Sequence, residues 1–471
     1  MSLLANAGRL LILRIGGQLG MLGAIIYFTR ILSPGSLGEY FYFESLLGVV
    51  SIFAAFGIGG AVEKFVSEGD EQAEWFTTGI LVMACFSVTA MLAFILLTRI
   101  YNNILQMSYL PLFLIALFGR QYMGYFRHML QAELRAAKGG VLQFIHVFVF
   151  IISSIILVNI GWDPLGLIVA AVLARILVLP IAKSMLNTPF SKPSWEKATD
   201  IVHFAKYYFI TVIGSKVYQY ADVVLVGLLL TKADVGRYEV AWRLILGGIV
   251  LNGVIGGTVF SYISRDNAED NTDLVSDNIK KALEYVLILP FGCAAGAAVI
   301  GTDLITKLFT TEYVADNTII IILSVGFIFQ SFYSLFSRSL VAMDKARESF
   351  YATIVGISSN ISLNLVLIPI YGLQGAAVAT TLSFFVAAIS YYYLLRRHVK
   401  IEFPIRRIIT QFCAATLMLF VLFVARSYTS EPSSVITLGL FLLGGGTYLI
   451  GLLIFETTRS DLRVLLDETS L

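Results

Sequence analysis

The sequence predicts an all-α integral membrane protein of about fourteen transmembrane helices: two six-helix bundles related by duplication, plus two extra C-terminal helices. Three observations predict it. Of 471 residues, 58% are hydrophobic and 14% charged, and the mean hydropathy is +0.83. That is too apolar for a soluble chain of this length. The apolar residues gather into about fourteen stretches, each near the roughly 20 residues that cross a ~30 Å hydrocarbon core. Short patterns from the first half recur, in the same order, in the second.

The first stretch, 9–31, is interrupted by Arg14 and has no small-residue cleavage site, so it reads as a span and not as a secretory signal. The second, 38–62, carries Glu44 and ends in Gly57-Ile58-Gly59-Gly60. That glycine run lacks the strand–helix context of a nucleotide loop and reads as close helix packing. Spans follow at 77–98, 109–130, 141–161 and 164–184. In the fourth, Arg120, Gly124, Arg127 and Gln131 recur at helical spacing and form one polar stripe. The sixth carries Arg175.

The seventh span, 202–224, presents Tyr208, Thr211, Ser215, Gln219 and Asp222 as a stripe with Lys216 beside it. Spans at 237–262 (with Arg243), 281–302, 317–338, 350–370 and 373–396 complete the second set, and 407–427 and 433–456 are additional. In the eleventh, Gly356, Asn360 and Asn364 suggest interhelical hydrogen bonds, and Gly292/Gly296 in the ninth suggests close packing. The longest links, near 185–200 and 264–280, are too short for a separate domain. The expected organisation is a first bundle over 1–200, its repeat over 201–400, and the extra pair with a short tail over 401–471.

The duplication rests on three matched segments. Leu32-Ser33-Pro34-Gly35-Ser36-Leu37-Gly38-Glu39-Tyr40 matches Leu230-Thr231-Lys232-Ala233-Asp234-Val235-Gly236-Arg237-Tyr238. Leu130-Gln131-Ala132 through Arg135-Ala136 matches Leu340-Val341-Ala342 through Lys345-Ala346. The residues around Gly166 match those around Gly375. Repeats of this kind are the usual build of secondary transporters.

Net charge is only +2, but the distribution is one-sided. With the N-terminus in the cytoplasm, most of the 33 Lys and Arg fall in cytoplasmic segments, which predicts cytoplasmic termini in the cell membrane. Cys85, Cys293 and Cys413 are far apart, and the four histidines have no partner at metal-ligand spacing. No cofactor, metal, nucleic acid or catalytic chemistry is expected. The informative residues are charges where lipid should be. A cation near the bilayer centre costs about 2.5 kcal/mol or more, so it faces water or a partner. Arg14, Lys216, Arg243, Arg120 and Arg175 outnumber the intramembrane acids, chiefly Glu44 and Asp222. The surplus predicts a lumen for an anionic group, with Asp222 and Glu44 as ion-coupling candidates. Lys206 and Arg127 can instead snorkel to headgroups.

The segment Asp222 to Leu244, with Val235, Gly236, Tyr238, Ala241 and Arg243, resembles the signature of O-antigen-type polysaccharide-biosynthesis flippases. Leu367-Ile368-Pro369-Ile370-Tyr371-Gly372 through Gly375-Ala376-Ala377 is similar to a second motif of that family. The family belongs to the multidrug/oligosaccharidyl-lipid/polysaccharide exporter superfamily. The resemblance implies a V-shaped fold with a central cavity. It implies alternating access that carries a polyprenyl-linked saccharide to the outer leaflet, and it admits glycan-assembly enzymes as partners. Fourteen-span members can use the extra pair as a groove for the lipid tail. Two other readings are weighed. A cation-coupled multidrug exporter of the same superfamily would place acids where Arg14 stands. A membrane polymerase or ligase would need a large outer loop, and the outer links here are short.

Overall fold

A computed structural model describes residues 3–101, 104–269, 271–429 and 433–454; the side chains of 3–15, 210–212, 214–215 and 246–258 lie outside the described part. Every regular element among the described residues is helical. The chain runs through α1 (Leu3–Phe28), α2 (Pro34–Ala55), α3 (Ile58–Ser67), α4 (Gln72–Ile100), α5 (Leu110–Ala132), α6 (Ala136–Asn159), α7 (Leu165–Ser184), α8 (Trp195–Leu229) and α9 (Lys232–Ala268). It continues through α10 (Thr272–Val286), α11 (Ile288–Leu308), α12 (Asn317–Ala342), α13 (Ala346–Leu395), α14 (Ile405–Ser427) and α15 (Ser434–Ile454). Among the described residues, nine helical segments are long and apolar enough to cross a membrane. One of them, α13, breaks at Gly372 (φ 58°), just past Pro369, and so supplies both stretches expected over 350–370 and 373–396.

Two expectations need correction. The span expected over 38–62 is two helices, because Phe56 (φ 42°) and Gly57 (φ 76°) are left-handed. The reason is steric: a Cβ on Gly57 would lie 2.6 Å from the Ala205 carbonyl oxygen of α8, so only glycine lets α8 pass. Gly59 and Gly60 likewise receive the rings of His128 and Tyr208, which is the close packing the glycine run suggested. The link expected near 264–280 is largely helical. In α10, Val275, Ile279, Ala282, Leu283 and Val286 bury one face, while Lys280 on the other face pairs with Glu402 at 2.8 Å.

The chain forms two compact units, Met1–Gly236 and Arg237–Leu471. In unit 1 the core gathers Ile58, Val62, Phe76, Tyr125, Met129, Val178 and Ala205. Helix α8 packs on α2, α3 and α4. Tyrosines seat in glycine notches there, Tyr42 at Gly227 and Tyr220 at Gly48. In unit 2 one core centres on Leu283, Leu335, Phe336, Tyr391 and Leu395. A second holds the extra pair against α11 through Ala295, Ala414, Met418, Leu422 and Tyr448. That seam is tight, with Gly292 against Tyr448 and Gly451 against Ala414. Polar ties hold α14 at both ends: Arg426 to Asp303 of α11 at 2.7 Å and Arg407 to Glu284 of α10 at 3.5 Å. Asn360 donates to Ser383 Oγ at 3.3 Å and Asn364 to the Asn360 carbonyl at 3.0 Å.

The repeats share backbone geometry as well as letters. Leu134 and Asp344 both have positive φ (57° and 60°). The hydrogen bonds Arg135 N–H to Leu130 O (2.7 Å) and Lys345 N–H to Leu340 O (2.9 Å) close the same Schellman turn. Ser33 Oγ caps α2 by accepting from Ser36 N–H, and Thr231 Oγ1 accepts from Asp234 N–H, each at 3.2 Å. Within unit 1 these two copies also meet. A Cβ on Gly38 would overlap the Lys232 carbonyl, and a Cβ on Gly236 would overlap the Pro34 carbonyl. Because Gly38 aligns with Gly236 and Pro34 with Lys232, the contact is reciprocal, as across a local two-fold axis.

Candidate functional site

Helices of unit 1 bring a polar cluster into an apolar interior. Glu44 projects from α2, and its Oε2 accepts from Arg175 Nη2 of α7 at 2.6 Å. The same oxygen lies 3.7 Å from Arg120 Nη1 of α5. Gly119 makes this approach feasible, since a Cβ there would sit 2.8 Å from Arg175 Cβ. Arg175 is 7% exposed and also donates Nη1 to the Ala171 carbonyl at 3.0 Å, one turn back. It is pinned from two directions. Arg120 is held more loosely at Glu44. Its Nη2 donates to Tyr220 Oη of α8 at 2.6 Å, and its guanidinium lies 5.4 Å from that ring's centroid.

His146 of α6 joins the cluster. Both ring nitrogens are shielded from solvent without a hydrogen-bond partner, as is Glu44 Oε1. Arg175, Glu44, Arg120 and Arg127 are all within its electrostatic range. Two guanidiniums thus face one carboxylate, leaving surplus positive charge. Such a set suits an anion better than a cation.

The structure therefore gathers three of the residues singled out from sequence, Arg120, Arg175 and Glu44. Asp222 is buried on α8, two residues past Tyr220. Lys216, also on α8, is exposed. Arg243 belongs to unit 2 and pairs with Glu239 one turn earlier on α9, at 2.9 Å. Glu239 is thus the carboxylate that Arg243 meets, an acid on its own helix. Arg14 lies in α1, but its side chain is outside the described residues. His146 has no partner at metal-ligand spacing, and its signal in the sequence is that of Arg14, a lone polar group in an apolar stretch. Among the described residues no group of three His, Cys, Asp or Glu could hold a metal.

The model of the family described as polysaccharide biosynthesis protein matches residues 3–267, more than half of the chain. The chain belongs to that family. A protein of Haloferax volcanii named as a probable low-salt glycan biosynthesis flippase, Agl15, is 28% identical over 393 residues, 83% of each chain. The fold is that of lipid II flippase MurJ in an inward closed conformation, with a TM-score of 0.78, 19% identity, and 95% and 98% of the two chains covered. An inward-facing multidrug resistance MATE family transporter of the MOP superfamily superposes with a TM-score of 0.66 at 16% identity, over 81% of this chain and 94% of that one. As a member of the polysaccharide biosynthesis protein family, this chain is a multi-pass helical membrane protein of the MOP-type fold.

Proposed function

We propose that this chain is a flippase for a lipid-linked glycan. Its cargo is a polyprenyl-(di)phosphate-linked oligosaccharide, moved from the cytoplasmic to the outer leaflet of the cell membrane by alternating access. Both termini lie in the cytoplasm. One observation carries the reading: a protein akin to a named glycan-biosynthesis flippase sets two arginines, Arg120 and Arg175, against the single carboxylate of Glu44 among its helices. Arg14, Lys216 and Arg243 contact the phosphate or diphosphate, and Arg120 and Arg175 extend the basic lining. Glu44 and Asp222 are the groups through which an ion gradient would act. Glycan-assembly enzymes supply the cargo on one side and consume it on the other.

The test is the lipid-linked saccharide pool of a deletion strain, with a leaflet-accessibility assay on its membranes. The expected result is accumulation on the cytoplasmic face, reversed by the intact gene and not by Arg120→Ala. An unchanged pool would refute the reading. It would favour the second one, a cation-coupled multidrug or small-solute exporter, which the fold shared with the MATE transporter keeps in view.

A further inference from the structure

On the outer surface of unit 1 a groove of about 400 Å³ runs between α5 and α7. Phe118, Tyr122 and Phe126, one helical turn apart, form one wall, and Ile176, Leu179, Pro180 and Lys183 form the other. The two helices run in the same direction. Ile176 lies against Gly119, and Arg135 just past α5 donates to the Met185 carbonyl just past α7 at 2.9 Å. Phe118 and Ile176 are therefore near the middle of their helices, and Phe126 and Lys183 are toward the end that carries the cationic loops. From Phe118 to Phe126 the groove is roughly 12 Å long at 1.5 Å per residue. A flexible apolar chain can lie along it between the two helices. The lining is apolar except at Lys183, whose Nζ sits 3.9 Å from the Phe190 ring centroid and 5.2 Å from that of Phe76. Ring faces hold the ammonium without using its N–H donors, so it can meet an anion at that end of the groove.

We propose that this groove seats the headgroup-proximal isoprenoid segment of the lipid carrier, with Lys183 on its phosphate, in the leaflet from which the carrier departs. A single unsaturated chain with methyl branches suits three aromatic rings set at successive turns, and a single phosphate suits one lysine. The inference rests on the flippase reading for its cargo and on the groove for its place.

The experiment uses the full chain in lipid nanodiscs and a diazirine-bearing geranylgeranyl phosphate as probe. Photolabelling is mapped by mass spectrometry. Labels should fall within 118–126 and 176–183 and be displaced by unlabelled polyprenyl phosphate. Lys183→Gln should lower labelling about tenfold, the loss of one charge-assisted contact of about 1.4 kcal/mol. Leu179→Trp, or Ile176→Trp if that variant folds poorly, should fill the groove and abolish labelling while thermal stability holds. Equal displacement by phosphatidylglycerol would mark ordinary annular lipid and overturn the proposal, as would labels elsewhere or normal labelling of both tryptophan variants. The two readings fail separately. If the tryptophan variants flip and label like the parent, the groove is wrong and the flippase stands. If the parent labels here but the deletion strain has an unchanged lipid-linked pool, the groove stands without the flippase.

Discussion

At the scale of single residues, Glu44, Arg175 and Arg120 differ in how firmly they are held. Arg175 has a 2.6 Å bond to Glu44 and a second to its own helix, whereas Arg120 faces the same carboxylate at 3.7 Å. Removing a partner from a buried pair leaves an uncompensated charge and costs about 3–5 kcal/mol. Arg175→Ala should therefore lower the thermal unfolding midpoint of purified protein markedly, while Arg120→Gln should lower it little yet stop flipping. Equal destabilisation by both would contradict this division of labour. That charges sit inside the spans was legible in the sequence. Which of them pair was not, because Glu44 and Arg175 are 131 positions apart and meet only through tertiary packing. Arg243 was legible in part, since Glu239 stands one turn earlier on the same helix.

At the scale of elements, the repeated turn after α5 and after α12 stores strain. Non-glycine residues in the left-handed region cost about 1–2 kcal/mol. Leu134 is 92% exposed, so Leu134→Gly sacrifices little packing and should raise stability by about 1 kcal/mol. Asp344→Gly should give less, because aspartate tolerates that backbone better and Asp344 accepts from Asn267 at 3.4 Å. Thermal unfolding of the two variants side by side tests the order. Beside the first turn, Glu133 ties down residues 187–188, accepting from Asn187 N–H and from Thr188 N–H and Oγ1. Burial pushes its carboxyl up, but the bonds from Thr188, Asn187 and Arg135 outweigh this and hold it below its ordinary value. A lowered folded-state value means the tie is fully present above the ordinary carboxylate range and is lost as pH falls through the lowered value. Amide exchange at 187–188 should accordingly stay slow at pH 5 and quicken only in stronger acid, and Glu133→Gln should exchange fast at both. The break at Phe56–Gly57 was only half legible. Glycine flagged close packing, but the neighbour that demands it, Ala205 of α8, is remote in sequence.

At the scale of the whole molecule, hydropathy marked the spans and the repeated motifs marked the duplication, since both are local signals. The division of contacts was not legible. The repeat opens before α8, yet α8 packs on α2, α3 and α4, and the first unit closes only at Gly236. The extra pair was visible as two apolar runs, but its polar ties were not. Deleting residues 405–471 strips Asp303 of Arg426 and Glu284 of Arg407. The shortened chain should unfold at lower temperature than the parent, and Asp303→Asn should recover part of the loss by removing an orphaned carboxylate. A shortened chain as stable as the parent would mean those ties contribute nothing.

The reciprocal contact between the two motif copies has an evolutionary consequence. After a duplication the copies are ordinarily free to diverge, each site drifting on its own. Gly38 and Gly236 lack that freedom, because each lies against a main-chain carbonyl of the other copy, at Lys232 and at Pro34. No side-chain change at 232 or 34 can shorten a carbonyl, so no second mutation can compensate for the first. Selection on this pair therefore acts on both halves at once. A saturation library should return glycine alone at 38 and 236, while Gly35, with nothing nearer than the Ser33 hydroxyl at 3.7 Å, accepts small residues freely.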